Sequence, residues 1–244
     1  MTDLIFEQPL NEKNRSYLRL EYLYQQLQDN LEQDHNQRCF TPLFALCELN
    51  ERCDYRTDIL KDIDQQLVIL KKWQNLPHVD HAQIDYYLRS LNSYRQQLYA
   101  CERIGLSLKQ DKFLSALRQR FNMPGACCNF DLPQLHYWLS QPWSVRQQQY
   151  QQWCIHFDKL LKPINMLLQL IRNTAEFKPA IAKSGFYQNE AQSPLSLIRV
   201  KLTAQQQVYP TISGHKTRCA IHFVDFSTNK HSNNDIEFMI AACR

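Results

Sequence analysis

Hydrophobic residues recur along the first two-thirds of this chain at steps of three and four, the spacing that places them on one face of a helix. Tyr17, Leu20, Leu23, Leu27 and Leu31 form one such row, and Ile59, Ile63, Leu67 and Leu70 a second. A third runs through Ile84, Leu88, Leu91, Tyr94, Leu98 and Cys101. Phe113, Leu114, Leu117 and Phe121 predict a further helix, and Leu160, Ile164, Leu167, Leu168 and Ile171 another. The intervals carry helix-breaking punctuation at Asn75-Leu76-Pro77, Met123-Pro124-Gly125 and Leu132-Pro133. Between Trp143 and Trp153, the Gln-rich stretch Arg146–Gln152 reads as a polar helix face.

In the last third the period drops to two. Ile198, Val200 and Leu202 alternate with Arg199 and Lys201, as a half-buried strand requires. Cys219, Ile221 and Phe223 alternate with Arg218, Ala220 and His222, and Ile236, Phe238 and Ile240 with Glu237, Met239 and Ala241. Phe177–Tyr187 offers another extended segment, and LIFEQP near the start has the same look, closed by Pro9. Helices followed by strands predict an α+β fold, a mainly α-helical body with a small antiparallel β-sheet domain formed chiefly by the C-terminal third. The expected division is a helical domain over 11–175 and a β domain over 177–244, with residues 4–7 adding a strand.

Composition narrows the function. At about 100–200 residues per domain, 244 residues make one large domain or two small ones. A chain 44% hydrophobic and 21% charged buries a real core and is too apolar for disorder. Only four glycines argue against glycine-rich phosphate loops, dinucleotide folds and tight-turn barrels. The net charge of +4 is unevenly placed: 1–176 carries 20 bases against 20 acids, and 177–244 carries 8 against 4. Within the balanced part, Arg89–Arg120 holds Arg89, Arg95, Arg103, Lys109, Lys112, Arg118 and Arg120 against Glu102 and Asp111. Two local basic regions point to an acidic partner more than to bulk nucleic-acid binding.

The opening MTDLIFEQPLNEKNR has no signal-peptide core, and no stretch approaches the ~18–20 apolar residues of a membrane span. Nine cysteines without a secretion signal read as reduced cytosolic thiols. The expected compartment is the cytoplasm.

A search for catalysis returns little. Cys127 and Cys128 are adjacent and Cys47 and Cys53 are off any CxxC spacing, so neither pair reads as a metal site. His78-Val79-Asp80-His81 lacks an HExxH context, and no GxSxG, P-loop or GxGxxG occurs. Cys127, Cys128 and His136 lie within ten residues, but a cysteine is more often a small buried hydrophobe than a nucleophile. The expectation is no catalytic residue, no cofactor and no metal. Nor does an RNP-like run, zinc finger or clear helix-turn-helix appear, so no specific nucleic acid is expected.

The distinctive stretches are FEQPLNEKNRSYLRLEYL, which turns at Pro9 into a helix carrying Arg15 and Arg19; PGACCNFDLPQLHYWL, with Asp131 as N-cap of a short helix bearing His136 and Trp138; SGFYQ; and YPTISGHKTRCAIHF, a Pro-Gly loop leading into a basic strand with His215, Lys216 and Arg218. Placing Gly125, Gly185 and Gly214 in these segments of a glycine-poor chain implies special backbone geometry there. In this order, and with Arg103-Ile104-Gly105 and Arg118-Gln119-Arg120 between them, they resemble the ZapD family of bacterial cell-division proteins from about Phe6 to Cys243. Ala126 departs from the second glycine that relatives often carry, and residues 34–40 and 228–234 follow no family pattern.

That resemblance implies a helical domain plus a small β domain, a homodimer without enzymatic activity, and a cytoplasmic role at the mid-cell division site. Its implied partner is FtsZ, whose filaments it would bundle to promote Z-ring assembly and septum formation. The implied target is the C-terminal tail of FtsZ, a short segment with carboxylates and apolar anchors on a disordered linker. Such a peptide needs cations and a groove. The candidate cations are Arg19, Lys112, His136, Lys216 and Arg218, followed by Arg52 and Arg56, whose spacing from Glu48 and Asp54 also suits ordinary surface pairing. Trp138, Phe186 and Tyr187 are candidate groove walls or core residues. The rival reading is a nucleic-acid-binding accessory protein using the same basic regions.

Overall fold

A computed structural model describes residues 3–77, 79–101, 105 and 107–244. Along the chain run strand β1 (Asp3–Pro9) and helices α1 (Glu12–Glu32), α2 (Phe40–Arg52), α3 (Arg56–Trp73), α4 (His81–Ala100), α5 (Lys112–Arg120), α6 (Pro133–Leu139) and α7 (Trp143–Arg172). Strands β2 (Lys178–Ala182), β3 (Phe186–Glu190), β4 (Leu197–Thr203), β5 (Val208–His215), β6 (Arg218–Asp225) and β7 (Ile236–Cys243) follow. The fold is α+β, as the change of period from helical to alternating predicts. The chain forms two compact units, one of residues 20–165 and one joining the segment up to Arg19 with Met166–Arg244.

In the helical unit the periodic rows are the buried ones. Ile59, Ile63, Leu67 and Leu70 of α3 are buried, as are Ile84, Leu91 and Leu98 of α4. Asp80 caps α4 and Asp111 caps α5, each carboxylate accepting the backbone N–H three residues on. Asp131 is not the cap of α6: Leu132 holds that position, and Asp131 instead accepts from Arg120 and from the Cys128 thiol. Helix α2 is the element the periodicity does not announce. Phe40, Pro42, Leu43, Phe44, Leu46, Cys47 and Asn50 are buried, which leaves a narrow exposed face of Thr41, Glu48 and Arg52, and Pro42 sits in the first turn, where its missing N–H costs nothing.

Phe40 centres an aromatic cluster with Phe44, Phe113, Phe121, Trp138 and Trp153 at centroid distances of 5.1–6.3 Å. Helix α7 runs unbroken from Trp143 through Pro163, so the Gln-rich stretch and the later apolar row belong to one helix. Arg146 is not on its polar face. The side chain is buried, forks onto Asp34, donates from Nε to the Gln141 carbonyl at 3.0 Å and lies over the rings of Trp138 and Trp143.

The other unit packs two antiparallel sheets, ordered β1-β4-β7-β2 and β3-β6-β5, around one core. Ile198, Val200, Leu202, Phe238 and Ile240 from the first sheet meet Cys219, Ile221 and Phe223 from the second. On the outer face of the first sheet, Leu197, Ala241 and Cys243 lie under Leu18, Ile171 and Phe177. Residues 208–215 are a strand and not a loop. They form an edge, where Pro210 is tolerated because its missing donor faces no partner. Gly185 stands at φ +73 with its α-carbon against the Ser232 carbonyl, so a methyl group there has no room.

Gly185→Ala destabilises the protein by about 1–3 kcal/mol in urea unfolding, through positive φ and a backbone clash. The hydrogen bond from Arg146 holds the Asp34 carboxyl below the usual carboxylate range. A depressed folded-state pKa stabilises above the unfolded value and is lost as pH falls through the folded one. Asp34→Asn therefore costs about 1–3 kcal/mol at neutral pH, and the difference from wild type narrows as pH falls through the lowered pKa of Asp34.

Candidate functional site

The seven candidate cations divide between the units. Arg19, Lys216 and Arg218 belong to the β-containing unit, and Arg52, Arg56, Lys112 and His136 to the helical one. Lys216 and Arg218 share the β5–β6 hairpin, whose two-residue turn is Lys216-Thr217. The turn is pinned from outside, because the backbone N–H groups of Leu195 and Ala191 donate to the carbonyls of Lys216 and Thr217 at 2.8 and 2.7 Å. Lys216 itself takes the left-handed conformation, φ +48. Gly214 does not. It is needed because a side chain there would meet the Arg218 carbonyl and a Leu10 methyl, each 2.8 Å from the Cβ position.

The cations also differ in whether they already hold a carboxylate. Arg218 donates from Nε to Glu190 at 2.9 Å, with both side chains exposed. Arg52 pairs with Glu48 one turn back. Arg56 forks onto Asp54 and donates to the Cys101 carbonyl at 3.0 Å, and the Asp54 bonds push its pKa upward. Arg19, Lys112, His136 and Lys216 are exposed and have no ion pair among the described residues. Arg103 of the basic stretch and of the Arg-Ile-Gly motif, with Glu102 and Ile104, lies outside the described residues.

Sequence reasoning missed a groove of about 460 Å³ between α2, the turn Ser107–Gln110 and α5. Phe44, Leu108 and Leu114 supply its apolar floor, and all three are buried. On its rim Glu51 accepts both nitrogens of the Arg118 fork at 2.6 and 3.0 Å, with Lys109 Nζ 3.5 Å away. The Arg118 hydrogen bonds hold the Glu51 carboxyl below the usual range. The Ser115 hydroxyl donates to the Lys109 carbonyl at 2.8 Å and ties the turn to α5. The basic stretch Arg89–Arg120, with Lys109 and Arg118, and the Arg118-Gln119-Arg120 motif hinted at this site; Glu51 lies 67 residues from Arg118, beyond any local pattern.

The aromatic candidates resolve differently. Trp138 is core, with its indole N–H on Gln149 at 2.8 Å, and Tyr187 packs half-buried against the Phe238 ring; Phe186 is 40% exposed. Among the described residues, no three His, Cys, Asp or Glu side chains cluster as metal ligands, and no helix is long and apolar enough to cross a membrane. His78 of the HxxH lies outside the described residues. Burial raises the Cys127 thiol, the Cys128 thiol donates to Asp131 at 3.3 Å, and no hydrogen bond joins either to His136 among the described residues.

Burial also pushes the thiols of Cys47 and Cys243 up to about 11 and that of Cys154 to about 12. Iodoacetamide at mildly alkaline pH is therefore expected to alkylate exposed Cys53 first in the native protein. Cys39, Cys47, Cys154 and Cys243 should react only on unfolding, and mass spectrometry of timed digests reads the order.

A family model described as ZapD, a cell division protein, matches residues 18–222. The chain is 63% identical over 243 residues to the Cell division protein ZapD of Shewanella sp. strain MR-7, with all of both chains covered. It is 60% identical, again over full length, to the protein of that name from Shewanella baltica strain OS185. The corresponding protein of Vibrio atlanticus strain LGP32 is 40% identical over 98% of each chain.

Proposed function

We propose, because the chain belongs to the ZapD family of cell division proteins, that it acts in division by binding the C-terminal tail of FtsZ and crosslinking FtsZ filaments, without enzymatic chemistry. The observation that carries this reading is that four of the seven candidate bases, Arg19, Lys112, His136 and Lys216, are exposed and hold no ion pair among the described residues. At any one of them a carboxylate of a short acidic segment finds a base without displacing a resident carboxylate. Arg52, Arg56 and Arg218 are bonded to Glu48, Asp54 and Glu190, so they contribute by exchanging one carboxylate for another, at smaller net gain.

Crosslinking needs two tail sites on one particle, and a homodimer supplies them. The helical domain, 11–175, is the proposed seat of the dimer contact. Val68, Ile69 and Trp73, exposed along α3, are in keeping with that assignment. Each site is weak, about micromolar, and gains from effective concentration once both ends are engaged on a polymer that displays many tails. The contacts are exposed charge pairs, so bundling weakens as salt rises. The place of action is the cytoplasm at the division site.

Charge reversal tests the reading. Lys112→Glu and Lys216→Glu are surface changes expected to leave the circular dichroism melt within a degree or two of wild type. Each should reduce FtsZ bundling, read by light scattering and electron microscopy, by roughly tenfold or more. Normal bundling by both variants would place the contact elsewhere. Loss of duplex DNA binding in a mobility shift, with bundling unchanged, would favour the nucleic-acid reading.

A further inference from the structure

Two histidines come together in the β-containing unit, away from the cations discussed above. His222 stands on β6, and His231 follows nine residues later in the connection from β6 to β7. Their ring centroids lie 5.0 Å apart, and both side chains are exposed. We propose that His222 and His231 together bind one divalent transition-metal ion of the class of Zn2+, Ni2+ or Cu2+, which fastens the β6–β7 connection to the sheet.

The separation suits a shared ion. Two imidazoles bonded to one metal at about 2.0–2.1 Å, with a tetrahedral angle between the bonds, have centroids about 5 Å apart. Both rings are exposed, so each can turn about its side-chain bonds to aim a nitrogen at the shared position. The backbone beneath them is already fixed. His222 pairs with Phe186 of β3 on one side and Thr211 of β5 on the other, and the Phe186 ring packs against its imidazole at 4.7 Å. His231 bridges Val224, two residues along β6 from His222, which puts the two histidines on one face. On either side of His231 the chain is tied to β6: the Asp225 N–H donates to the Lys230 carbonyl and the Ser232 N–H to the Phe223 carbonyl, each at 2.9 Å.

The ligand type selects the metal. No third His, Cys, Asp or Glu side chain joins the pair among the described residues, so water completes the coordination. Imidazole without carboxylate suits zinc, nickel and copper, whereas Mg2+ and Ca2+ take oxygen ligands. Half the protein ligands of a structural zinc site leave a Kd of about 10–100 µM. The connection that the ion fastens also carries Ser232, whose carbonyl lies against Gly185 between β2 and β3, so the ion steadies that contact too. Sequence gave no sign of the pair, because its spacing matches no metal-binding motif and the sheet alone brings the rings together.

The test uses the full, untagged chain, stripped with EDTA and dialysed. Titration calorimetry with zinc chloride near neutral pH should show one site per chain, and saturating zinc should raise the melting temperature by roughly 2–5 °C. His222→Gln and His231→Gln should each weaken binding about tenfold or more and remove that rise. His215→Gln, which changes an exposed histidine of β5 in the same unit, should match wild type. Zinc binding that survives in both variants places the ion elsewhere, on a thiol for example, and overturns the proposal, as does no binding at millimolar zinc. Should either variant melt early without metal, NMR of the wild-type imidazoles decides: substoichiometric Ni2+ should broaden the His222 and His231 signals first, and earlier broadening of any other histidine overturns the assignment.

Discussion

Glu7 holds the two ends of the chain in one sheet. Its carboxylate accepts from Arg172 at the end of α7, at 2.6 and 2.9 Å, and from Arg199 on β4, at 2.9 Å. All three side chains are four-fifths covered, so the charges meet in a medium where attraction is stronger than in water and a missing partner is costly. Glu7 and Arg199 are direct cross-strand partners in the β1–β4 ladder. A slip of one residue would turn Glu7 into the apolar core and expose Phe6, so the pair fixes the register. With β1 so placed, α1 begins three residues after the strand and α7 ends six residues before β2. The unit that joins the segment up to Arg19 with Met166–Arg244 is thereby a product of two stretches far apart in sequence.

The treatment of charge is the same throughout: cations that build the fold are bonded, and those left over are the ones with something to offer a partner. Arg146 is buried on Asp34 and two indoles, Arg172 and Arg199 share Glu7, and Arg199 also covers the Phe177 ring at 4.9 Å. Arg118 stands between the two groups, bonded to Glu51 yet a third exposed. The turn at Lys216-Thr217 makes the complementary point. Two backbone hydrogen bonds are used to hold an exposed lysine in a left-handed conformation.

Much of the secondary structure was legible because burial and period coincide. The rows in α3 and α4 and the alternation in β4, β6 and β7 are what the chain buries. Where burial covers most of an element the period blurs, which hides α2 despite its thirteen residues. Strand β5 was masked for another reason: Pro210, Ser213 and Gly214 are turn residues by habit, yet an edge strand accepts all three. The short helix α6 announced itself through Pro133, but its cap did not, because Asp131 was drawn off by Arg120 and Cys128.

The candidate site was legible only in its parts. Local motifs pointed to Lys112, His136 and Lys216, but whether a cation is bonded depends on partners that no motif contains, such as Glu190 for Arg218 across the β3–β6 ladder. The central claim is that this ZapD-family chain grips FtsZ by its tail. Sedimentation of GTP-polymerised FtsZ with this protein, using full-length FtsZ and FtsZ lacking its C-terminal tail, tests it most directly. The account predicts co-pelleting with bundles only when the tail is present. Equal co-pelleting without the tail would contradict it and move the contact to the FtsZ globular body.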